Sequence, residues 1–478
     1  MFKHEFIALE GYDKAKRKKT LTGVEKEQHA FSYYDNIPIL YQENAKMKRT
    51  LYCPEHVDGL DVTSRENKTI VLPFEEETYE ELLDDHVAYK AFLMEQMQRH
   101  PELFPPTMRE GWSFRGFTRP SKKQDGLRLR RILTTTDQKV WQIRPSFVMP
   151  YMTCETETAE KILFLGQWAP DWALAHVFEH DVMMMYRLRT HMGRYNMVGT
   201  TVKTPTALPK HVGADEKHSR ISGEKVYLAT TVGKDCYLGA SVSQGAGEED
   251  LTTAYGQFQR EAQQVAPDYQ PDTVNTDGWK ATMNAWKTLF PTICILQCFL
   301  HAILGIRNVA TTATRPLYDR IVTKAWEVYQ GKTKQSFSQR LRRFREWGTT
   351  LTASPLKTKL LKLCEKKAGF LPAYDFPQCL RTSNMIDRLM RGMDKYLFAK
   401  HSFHGTLVSA EYGIRAYCLL ANFRPYTYNP VNGIPHHTQT RSPFSELNGF
   451  SYHTCWLHNM LIATSRQEIY TFTHKQLG

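Results

Sequence analysis

Strand-like and helix-like hydrophobic patterns alternate through the middle of the chain. Residues 226–232 and 237–243 are rich in β-branched and other apolar side chains, and Gly233-Lys234-Asp235 between them predicts a hairpin turn. Helical periodicity follows, and later apolar runs are short enough to be buried strands. After a first strand near Asp215 and this hairpin, the pattern predicts a helix at 248–265, a strand at 271–277, a helix at 279–289, a strand at 292–298 and a helix from residue 301.

Three strands, a helix, a strand, a helix and a strand are the order of elements in the RNase H-like fold. We therefore expect an α/β protein with an RNase H-like, mixed-sheet catalytic core. In that fold the first strand lies beside the fourth, so Asp215 and Asp277 would meet although they are far apart in sequence.

Short helices are also predicted before this core, at 156–165, 170–178 and 181–191. Asp171 suits a helix start, and Asp181 can cap the third helix. A compact apolar helix, followed after a short turn by a helix with Arg187 and Arg189, is the helix-turn-helix pattern, whose second helix enters the DNA major groove. Packing of three helices without a DNA role is the alternative.

Charge favours a polyanionic partner. The chain has 62 Lys and Arg against 50 Asp and Glu, a formal net charge of +12, and such a field attracts nucleic acid. The stretch 109–131 interleaves basic residues with Trp112, Phe114 and Phe117, a composition suited to phosphates and stacked bases. A solvated charged face is the alternative for this stretch.

A second basic stretch occupies residues 311–376. Leu341, Phe344 and Trp347 predict an amphipathic helix within it. We expect a helical insertion whose basic face lies along DNA, with a solvated helix pair as the alternative. The basic face would include Arg342, Arg343 and Arg345.

The cysteines and the apolar segments indicate an aqueous, reducing compartment. Nine cysteines, an odd number scattered along the chain, do not form a disulfide framework. The first residues lack the apolar stretch of a signal peptide, and the most apolar segment, 292–306, is interrupted by Gln297 and His301. We expect no membrane association, with the protein on the nucleoid in the cytoplasm of a prokaryote or in the nucleus of a eukaryote.

Asp215 and Asp277 have the chemistry of a metal-dependent phosphodiester site. Cleavage at neutral pH needs an activated hydroxyl and a stabilised leaving oxygen, and two Mg²⁺ ions about 4 Å apart supply both. Because Mg²⁺ prefers oxygen ligands, carboxylates on rigid elements are expected to hold Mg²⁺ or Mn²⁺. Turn or capping roles are the alternative for both aspartates, and Glu216 and Asp235 compete for the role of Asp215.

A third acid is expected on a helix after the last strand. We assign it to Asp387, because an apolar face over 385–397 predicts a helix there and Ser383 or Asn384 can cap it. Arg388, next in sequence, would meet DNA. The acids that compete with Asp387 are Asp394, Glu411 and Glu327.

The order of these motifs resembles that of insertion-sequence DNA transposases with an acidic triad, and more distantly that of the Mutator-like group. That group has an RNase H-like fold, a Cys-x-x-His motif after the second aspartate and a helical insertion before the third acid. The matching features of this chain are Asp215, Asp277, Cys298-x-x-His301, the basic stretch 311–376 and Ser383-Asn-Met-Ile-Asp387. One departure is that the third acid of such families is usually Glu, whereas this chain has Asp387.

The resemblance implies cleavage of transposon ends and strand transfer into a target. It implies Mg²⁺ or Mn²⁺ as cofactor, double-stranded DNA as partner, and a homodimer or larger oligomer on inverted repeats. An imidazole can donate to a phosphate oxygen, so His301 would contact the scissile phosphate or orient a metal-bound water, with a buried structural histidine as the alternative. Rival interpretations are an RNase H-like nuclease or resolvase that only hydrolyses DNA, and a catalytically dead, transposase-derived regulator.

These patterns divide the chain into segments, of which the first is polar and irregular. The segments are an N-terminal basic and polar region (1–140), a helix-turn-helix DNA-binding domain (141–205), the first part of the RNase H-like core (206–310), the basic helical insertion (311–376), the part of the core with the third acid (377–425) and a C-terminal tail (426–478).

Overall fold

The computed structural model describes residues 59–122, 124–403, 405–426 and 441–475. Within them the strands are β1 (Leu60–Arg65), β2 (Thr69–Leu72), β3 (Trp112–Phe117), β4 (Arg130–Thr134), β5 (Val140–Pro145), β6 (His211–Ile221), β7 (Glu224–Gly233), β8 (Cys236–Ser243), β9 (Thr273–Thr276), β10 (Cys294–Gln297) and β11 (Ile469–His474). The α-helices are α1 (Tyr79–Asp84), α2 (His86–Arg99), α3 (Thr156–Leu165), α4 (Asp171–Phe178), α5 (Val182–His191), α6 (Met197–Thr201), α7 (Glu248–Val265), α8 (Lys280–Leu289), α9 (Phe299–Arg307), α10 (Arg315–Tyr329), α11 (Lys334–Thr350), α12 (Pro355–Glu365), α13 (Lys367–Phe370), α14 (Asn384–Ala399), α15 (Leu407–Phe423), α16 (Pro443–Asn448) and α17 (Trp456–Ala463). Within the described residues, no helix is both long and apolar enough to cross a lipid bilayer.

A five-stranded mixed sheet has the order β8-β7-β6-β9-β10. β7 is antiparallel to β6 and β8, whereas β9 is parallel to β6 and β10. Short turns join the antiparallel strands, and the parallel strands are connected through α7 and α8, because a parallel connection must cross the sheet. The architecture is therefore α/β with a mixed sheet, as predicted at that level.

Apolar side chains cover both faces of this sheet. α7 and α8 pack on one face, where Ala214, Phe258 and Trp286 belong to one buried cluster. α14 and α15 pack on the other face, through Ile386 and Ile414 among others. Since successive side chains of a strand point to opposite faces, odd-numbered positions of β6 near its middle face α14 and even-numbered positions face α7.

The segment predicted as a helical insertion contains α10, α11, α12 and α13. Their apolar faces, represented by Ile321, Leu341 and Leu360, form a separate buried cluster that also includes Phe299 of α9. The insertion therefore has a small core of its own, attached through α9 to the end of the five-stranded sheet.

Residues 156–191 form the three predicted helices, α3, α4 and α5. Glu179 ends α4 in a left-handed conformation, and the Asp181 side chain accepts a hydrogen bond of 2.6 Å from the Met183 amide at the start of α5. Met185 is buried while Met183 is 53 % exposed, so the run of methionines is only partly core. DNA recognition by α5 stays a prediction.

The prediction of an irregular N-terminal region is wrong for its described part. β2, β5, β4 and β3 form a second sheet in that order, and α1 and α2 share its buried cluster. The Arg130 side chain is buried, and its guanidinium carbon lies 4.7 Å from the ring centre of Phe114 and 4.1 Å from that of Phe117. Arg130 therefore stacks on aromatic rings inside the protein, whereas Arg115 and Arg119 of the same stretch are exposed. Residues 1–58 lie outside the described residues.

The C-terminal segment is also folded, and the prediction of a tail is corrected. All eight residues of α17 are buried, and its apolar side chains belong to the same cluster as the N-terminal sheet. β11 pairs antiparallel with β1 along its whole length. The physical reason is that residues 456–463 are mostly apolar and contain no Asp, Glu, Lys or Arg. Residues 427–440 and 476–478 lie outside the described residues.

Candidate functional site

Asp215 and Asp277 come from adjacent parallel strands. The register pairs Gly213 of β6 with Asn275 of β9, so two residues further along Asp215 lies beside Asp277. Asp277 follows the last residue of β9, and its carboxylate accepts a hydrogen bond of 2.7 Å from the Trp279 amide. The two aspartates therefore meet at the end of β9.

Asp387, on α14, is close enough to Asp215 for its charge to act on that carboxyl group. It lies in the first turn of that helix, which begins after Ser383. The helix packs closely on β6 because Gly213 has no side chain, and a Cβ at that position would overlap the Ile386 side chain. Ile386 directly precedes Asp387, so its close packing brings the carboxylate toward the sheet.

The charges of these groups act on one another. Burial, together with the negative charges of Asp277 and Asp387, raises the pKa of Asp215 to about 6 against the opposing effect of His301. Burial would lower the pKa of His301, but a hydrogen bond with Cys298 and the charges of Asp215 and Asp387 outweigh it and raise that pKa to about 9. At pH 7 His301 is therefore a cation near several carboxylates.

One hydroxyl group connects Cys298, His301 and Asp387. Ser383 Oγ lies 2.9 Å from Asp387 Oδ2, 3.3 Å from His301 Nδ1 and 3.2 Å from Cys298 Sγ. The amides of Ser383 and His301 donate to Cys298 Sγ at 3.1 and 3.4 Å. Cys298 is therefore a buried cap of α9 that also ties the start of α9 to the start of α14.

Glu216 faces away from Asp215. Its Oε1 accepts hydrogen bonds of 2.6 Å from the Tyr255 hydroxyl and 2.6 Å from the Thr282 hydroxyl. Burial raises the pKa of Glu216 to about 7 against the effect of these two donors. Because its carboxylate is enclosed by α7 and α8, Glu216 is not placed to share a ligand with Asp387.

The other competing acids also lie elsewhere. Asp235 is in the turn after β7 and forms an ion pair with Arg388. Asp394 forms an ion pair with a lysine of β6. Glu411 is buried against β8, where it accepts from the backbone, and Glu327 is exposed on α10. Of the acids considered for the third position, Asp387 is the one whose charge raises the pKa of Asp215.

The two arginines of α5 are placed differently. Arg187 is exposed. Arg189 is 18 % exposed; it forms an ion pair of 2.6 Å with Asp171 of α4 and donates a hydrogen bond of 2.8 Å to the Tyr396 hydroxyl of α14. Lys400, after α14, also pairs with Asp171 at 2.7 Å. Arg189 therefore holds α5 to α4 and α14, and Arg187 is the more accessible of the two for DNA.

The remaining arginines predicted to contact DNA lie at the surface. Arg342, Arg343 and Arg345 are exposed on α11, and Arg342 Nε lies 3.5 Å from a Glu346 oxygen. The Arg388 side chain is 61 % exposed despite its ion pair. All four are accessible to a phosphate backbone.

Asp215, Asp277 and Asp387 are the side chains suited to hold a divalent cation here. Within the part of the chain that the structure describes, no group of three or more carboxylate, imidazole or thiol side chains is arranged to hold a metal ion. Mg²⁺ does not require one, because it keeps several waters and is usually bound through one or two carboxylates. The carboxylate oxygens and the repulsion acting on Asp215 fit such an ion.

The sequence did not reveal the roles of Ser383 and Gly213. Ser383 suggests a helix cap, but its side chain makes no capping hydrogen bond and donates to Asp387 instead. The four-residue spacing of Ser383 and Asp387 was the sequence signal for this contact, since residues four apart lie on one side of a helix. Gly213 precedes Asp215 by two residues, and residues two apart share one face of a strand.

Gly213→Ala is expected to destabilise the protein, because the new methyl group would press against Ile386 and move α14 away from β6. Overpacking of this kind costs about 1 to 3 kcal/mol. Ile386→Val removes the methyl group that would overlap most closely, so the double variant should recover most of the loss. Urea unfolding of the wild type, both single variants and the double variant measures this coupling. Purely additive effects would contradict the close contact.

No protein-family model matches the chain, and no curated protein matches it significantly.

Proposed function

We propose that this chain is a metal-dependent DNA transposase with an RNase H-like catalytic core. The observation that carries the proposal is that Asp277, at the end of β9, and Asp387, in the first turn of α14, are close enough to Asp215 of β6 for their charges to raise its pKa. The strand order supports it, because an RNase H-like sheet has its first strand between the second and the fourth. The motif order, which resembles that of insertion-sequence transposases, favours strand transfer over simple hydrolysis.

The three aspartates would hold Mg²⁺ or Mn²⁺. When bound, these ions activate a water or a 3′-hydroxyl and stabilise the leaving oxygen. His301, which is cationic at neutral pH, would donate a hydrogen bond to an oxygen of the scissile phosphate. The Trp279 amide and the Ser383 hydroxyl orient the carboxylates of Asp277 and Asp387.

Double-stranded DNA is the proposed substrate, both as transposon end and as target. α5 would enter the major groove with Arg187 in a helix-turn-helix arrangement, and the basic face of α11 would lie along the backbone. The net charge of +12 favours such a partner. The proposed assembly is a homodimer or larger oligomer on paired inverted repeats, on the nucleoid of a prokaryote or in the nucleus of a eukaryote.

Duplexes made from the DNA that flanks the gene test this function. The full-length protein with Mg²⁺ or Mn²⁺ is expected to cleave labelled ends and to join them to a target plasmid. Asp277→Asn is the matched control, since it keeps the side-chain size and should bind the same duplex without forming products.

Two other outcomes would favour the rival functions. Cleavage without joined products would favour a nuclease or resolvase. Binding to the ends with no cleavage, and with no Mn²⁺ binding to the protein, would favour a catalytically dead regulator.

Reversing the charge of Arg342, Arg343 and Arg345 to Glu is expected to weaken DNA binding and to flatten its salt dependence. Each lost phosphate contact lowers the slope of log affinity against log salt by about 0.9. Fluorescence anisotropy over a series of salt concentrations measures the slope, and an unchanged slope would refute contact at α11. A control with the same change in net charge reverses the exposed residues Arg65, Lys68 and Lys90.

A further inference from the structure

The Ser383 hydroxyl has a neighbour for each of its hydrogen-bonding positions. A hydroxyl donates once and accepts twice. An ionised Asp387 can only accept, so at 2.9 Å from Oδ2 the Ser383 proton goes to Asp387. The two lone pairs then remain for the N–H at Nδ1 of His301, at 3.3 Å, and the S–H of Cys298, at 3.2 Å. One oxygen therefore orders three side chains.

The position of this hydroxyl is itself fixed. Ser383 is 2 % exposed, and its amide donates to Cys298 Sγ at 3.1 Å. The same sulfur accepts from the His301 amide at 3.4 Å. Because Cys298 is also buried, the oxygen of Ser383 has little freedom to follow a rotating imidazole.

The hydrogen bond to Nδ1 decides which ring nitrogen of His301 is left for a substrate. An imidazole has two nitrogens, and when one is held by the protein the other is the group that acts. With Nδ1 directed to Ser383, Nε2 is the remaining donor. The acid and the histidine are thus oriented by the same group, although they belong to α14 and α9.

We propose that Ser383 is a positioning residue, whose hydroxyl orients the His301 ring and the Asp387 carboxylate together and so presents Nε2 of His301 to an oxygen of the scissile phosphate. The phosphate in this inference rests on the proposed function. The hydrogen bonds of Ser383 do not rest on the proposed function, and they can be tested without DNA.

The first readout is the Nδ1–H signal of His301 in ¹⁵N-labelled full-length protein without metal, identified by its loss in His301→Gln. A hydrogen-bonded ring proton exchanges slowly enough with water to be seen. The signal is expected in the wild type and in Ser383→Thr, which keeps a hydroxyl, and is expected to be lost in Ser383→Ala. Should the alanine variant fail to fold, Ser383→Val against the isosteric Ser383→Thr gives the same comparison.

The second readout is the rate of cleavage of the flanking-DNA duplex. Loss of a group that orients a metal ligand typically lowers activity about 10- to 100-fold, and this fall is expected for Ser383→Ala with DNA affinity unchanged. Ser383→Thr should restore most of the rate.

An unchanged Nδ1–H signal in Ser383→Ala would overturn the proposal, and so would a lost signal with full cleavage activity. If the wild type cleaves no DNA while the signal depends on Ser383, the proposed function fails and the hydrogen-bond arrangement stands without its phosphate role. If cleavage occurs but the signal is independent of Ser383, the positioning role fails and the proposed function stands.

Discussion

Asp215→Asn is expected to raise the stability of the metal-free protein at pH 7.5 while abolishing DNA cleavage. Burial and the neighbouring acids raise the pKa of Asp215 from 3.8 to about 6, so its ionised form opposes folding by about 3 kcal/mol. Asparagine removes this charge and keeps the shape of the side chain. Loss of a residue that acts directly in the reaction costs on the order of 1,000-fold in rate or more.

The pH dependence follows from the direction of the shift. A raised pKa means that the folded state binds the proton more tightly than the unfolded chain, so this contribution to stability is lost as pH rises from about 4 to 6. The unfolding temperatures of wild type and Asp215→Asn should therefore agree below about pH 4 and separate as the pH rises to about 6, with the variant higher. Because Asp215 also raises the pKa values of Glu216 and His301, the difference reports Asp215 together with its coupling to these two groups.

Asp394→Asn is the control, because Asp394 is 47 % exposed and paired with Lys217. Its unfolding temperature should match the wild type or fall slightly. Adding Mg²⁺ or Mn²⁺ should stabilise the wild type and leave Asp215→Asn nearly unchanged. A lower stability of Asp215→Asn at pH 7.5 without metal would show that the carboxylate is not under electrostatic strain.

Glu261→Ala is expected to destabilise the protein by about 3 to 5 kcal/mol, because it leaves a buried guanidinium without its charge partner. Glu261 of α7 is 1 % exposed and lies 2.5 Å from Arg415 of α15, which is 0 % exposed. The same carboxylate accepts from the amides of Met197 and Val198 at the start of α6, at 2.5 and 3.1 Å. Its removal therefore affects three helices, and urea unfolding measures the cost.

An exposed ion pair provides the comparison. Glu346→Ala breaks a contact with Arg342 in which the two side chains are 65 % and 72 % exposed. Its effect on the free energy of unfolding should stay within about 0.5 kcal/mol. Equal effects of Glu261→Ala and Glu346→Ala would mean that the buried pair is hydrated in solution.

Elements with a regular hydrophobic period could be predicted closely from the sequence. α7 spans the predicted residues 248–265, and its buried positions recur at helical spacing, with Leu251, Tyr255 and Phe258 on one side. The five-stranded sheet brings Asp215 and Asp277 together because strand order determines which ends are neighbours. The assignment of Asp387 came from the apolar face of its helix, and α14 buries that face.

Long-range partners could not be predicted in this way. Arg187 and Arg189 are two residues apart in one basic helix, and only the distant Asp171 and Tyr396 distinguish them. Arg130 has neighbours typical of a phosphate-binding stretch, yet its tertiary contacts bury it.

The hydrogen bonds of the Ser383 side chain at the candidate site are also long-range. Its hydroxyl meets a thiol 85 residues earlier in the chain, and no local pattern encodes that contact. The sequence therefore indicated which acids could meet, whereas the groups that orient them depend on how α9 and α14 pack.

Under the proposed function, the ion pairs of Asp171 bear on how this protein could acquire a new DNA target. A recognition module that rests on its neighbour only through apolar surface can be exchanged between proteins as a unit. Here Asp171 and Arg189 are bound to Lys400 and Tyr396 at the end of the helix that carries Asp387. A chimera that replaces residues 156–191 would remove the contacts of Asp171 and Arg189 with Lys400 and Tyr396, so under the proposed function the helices that recognise DNA could not be exchanged without affecting the helix that carries Asp387. Under the proposed function, changes in target preference are then expected at exposed positions such as Arg187.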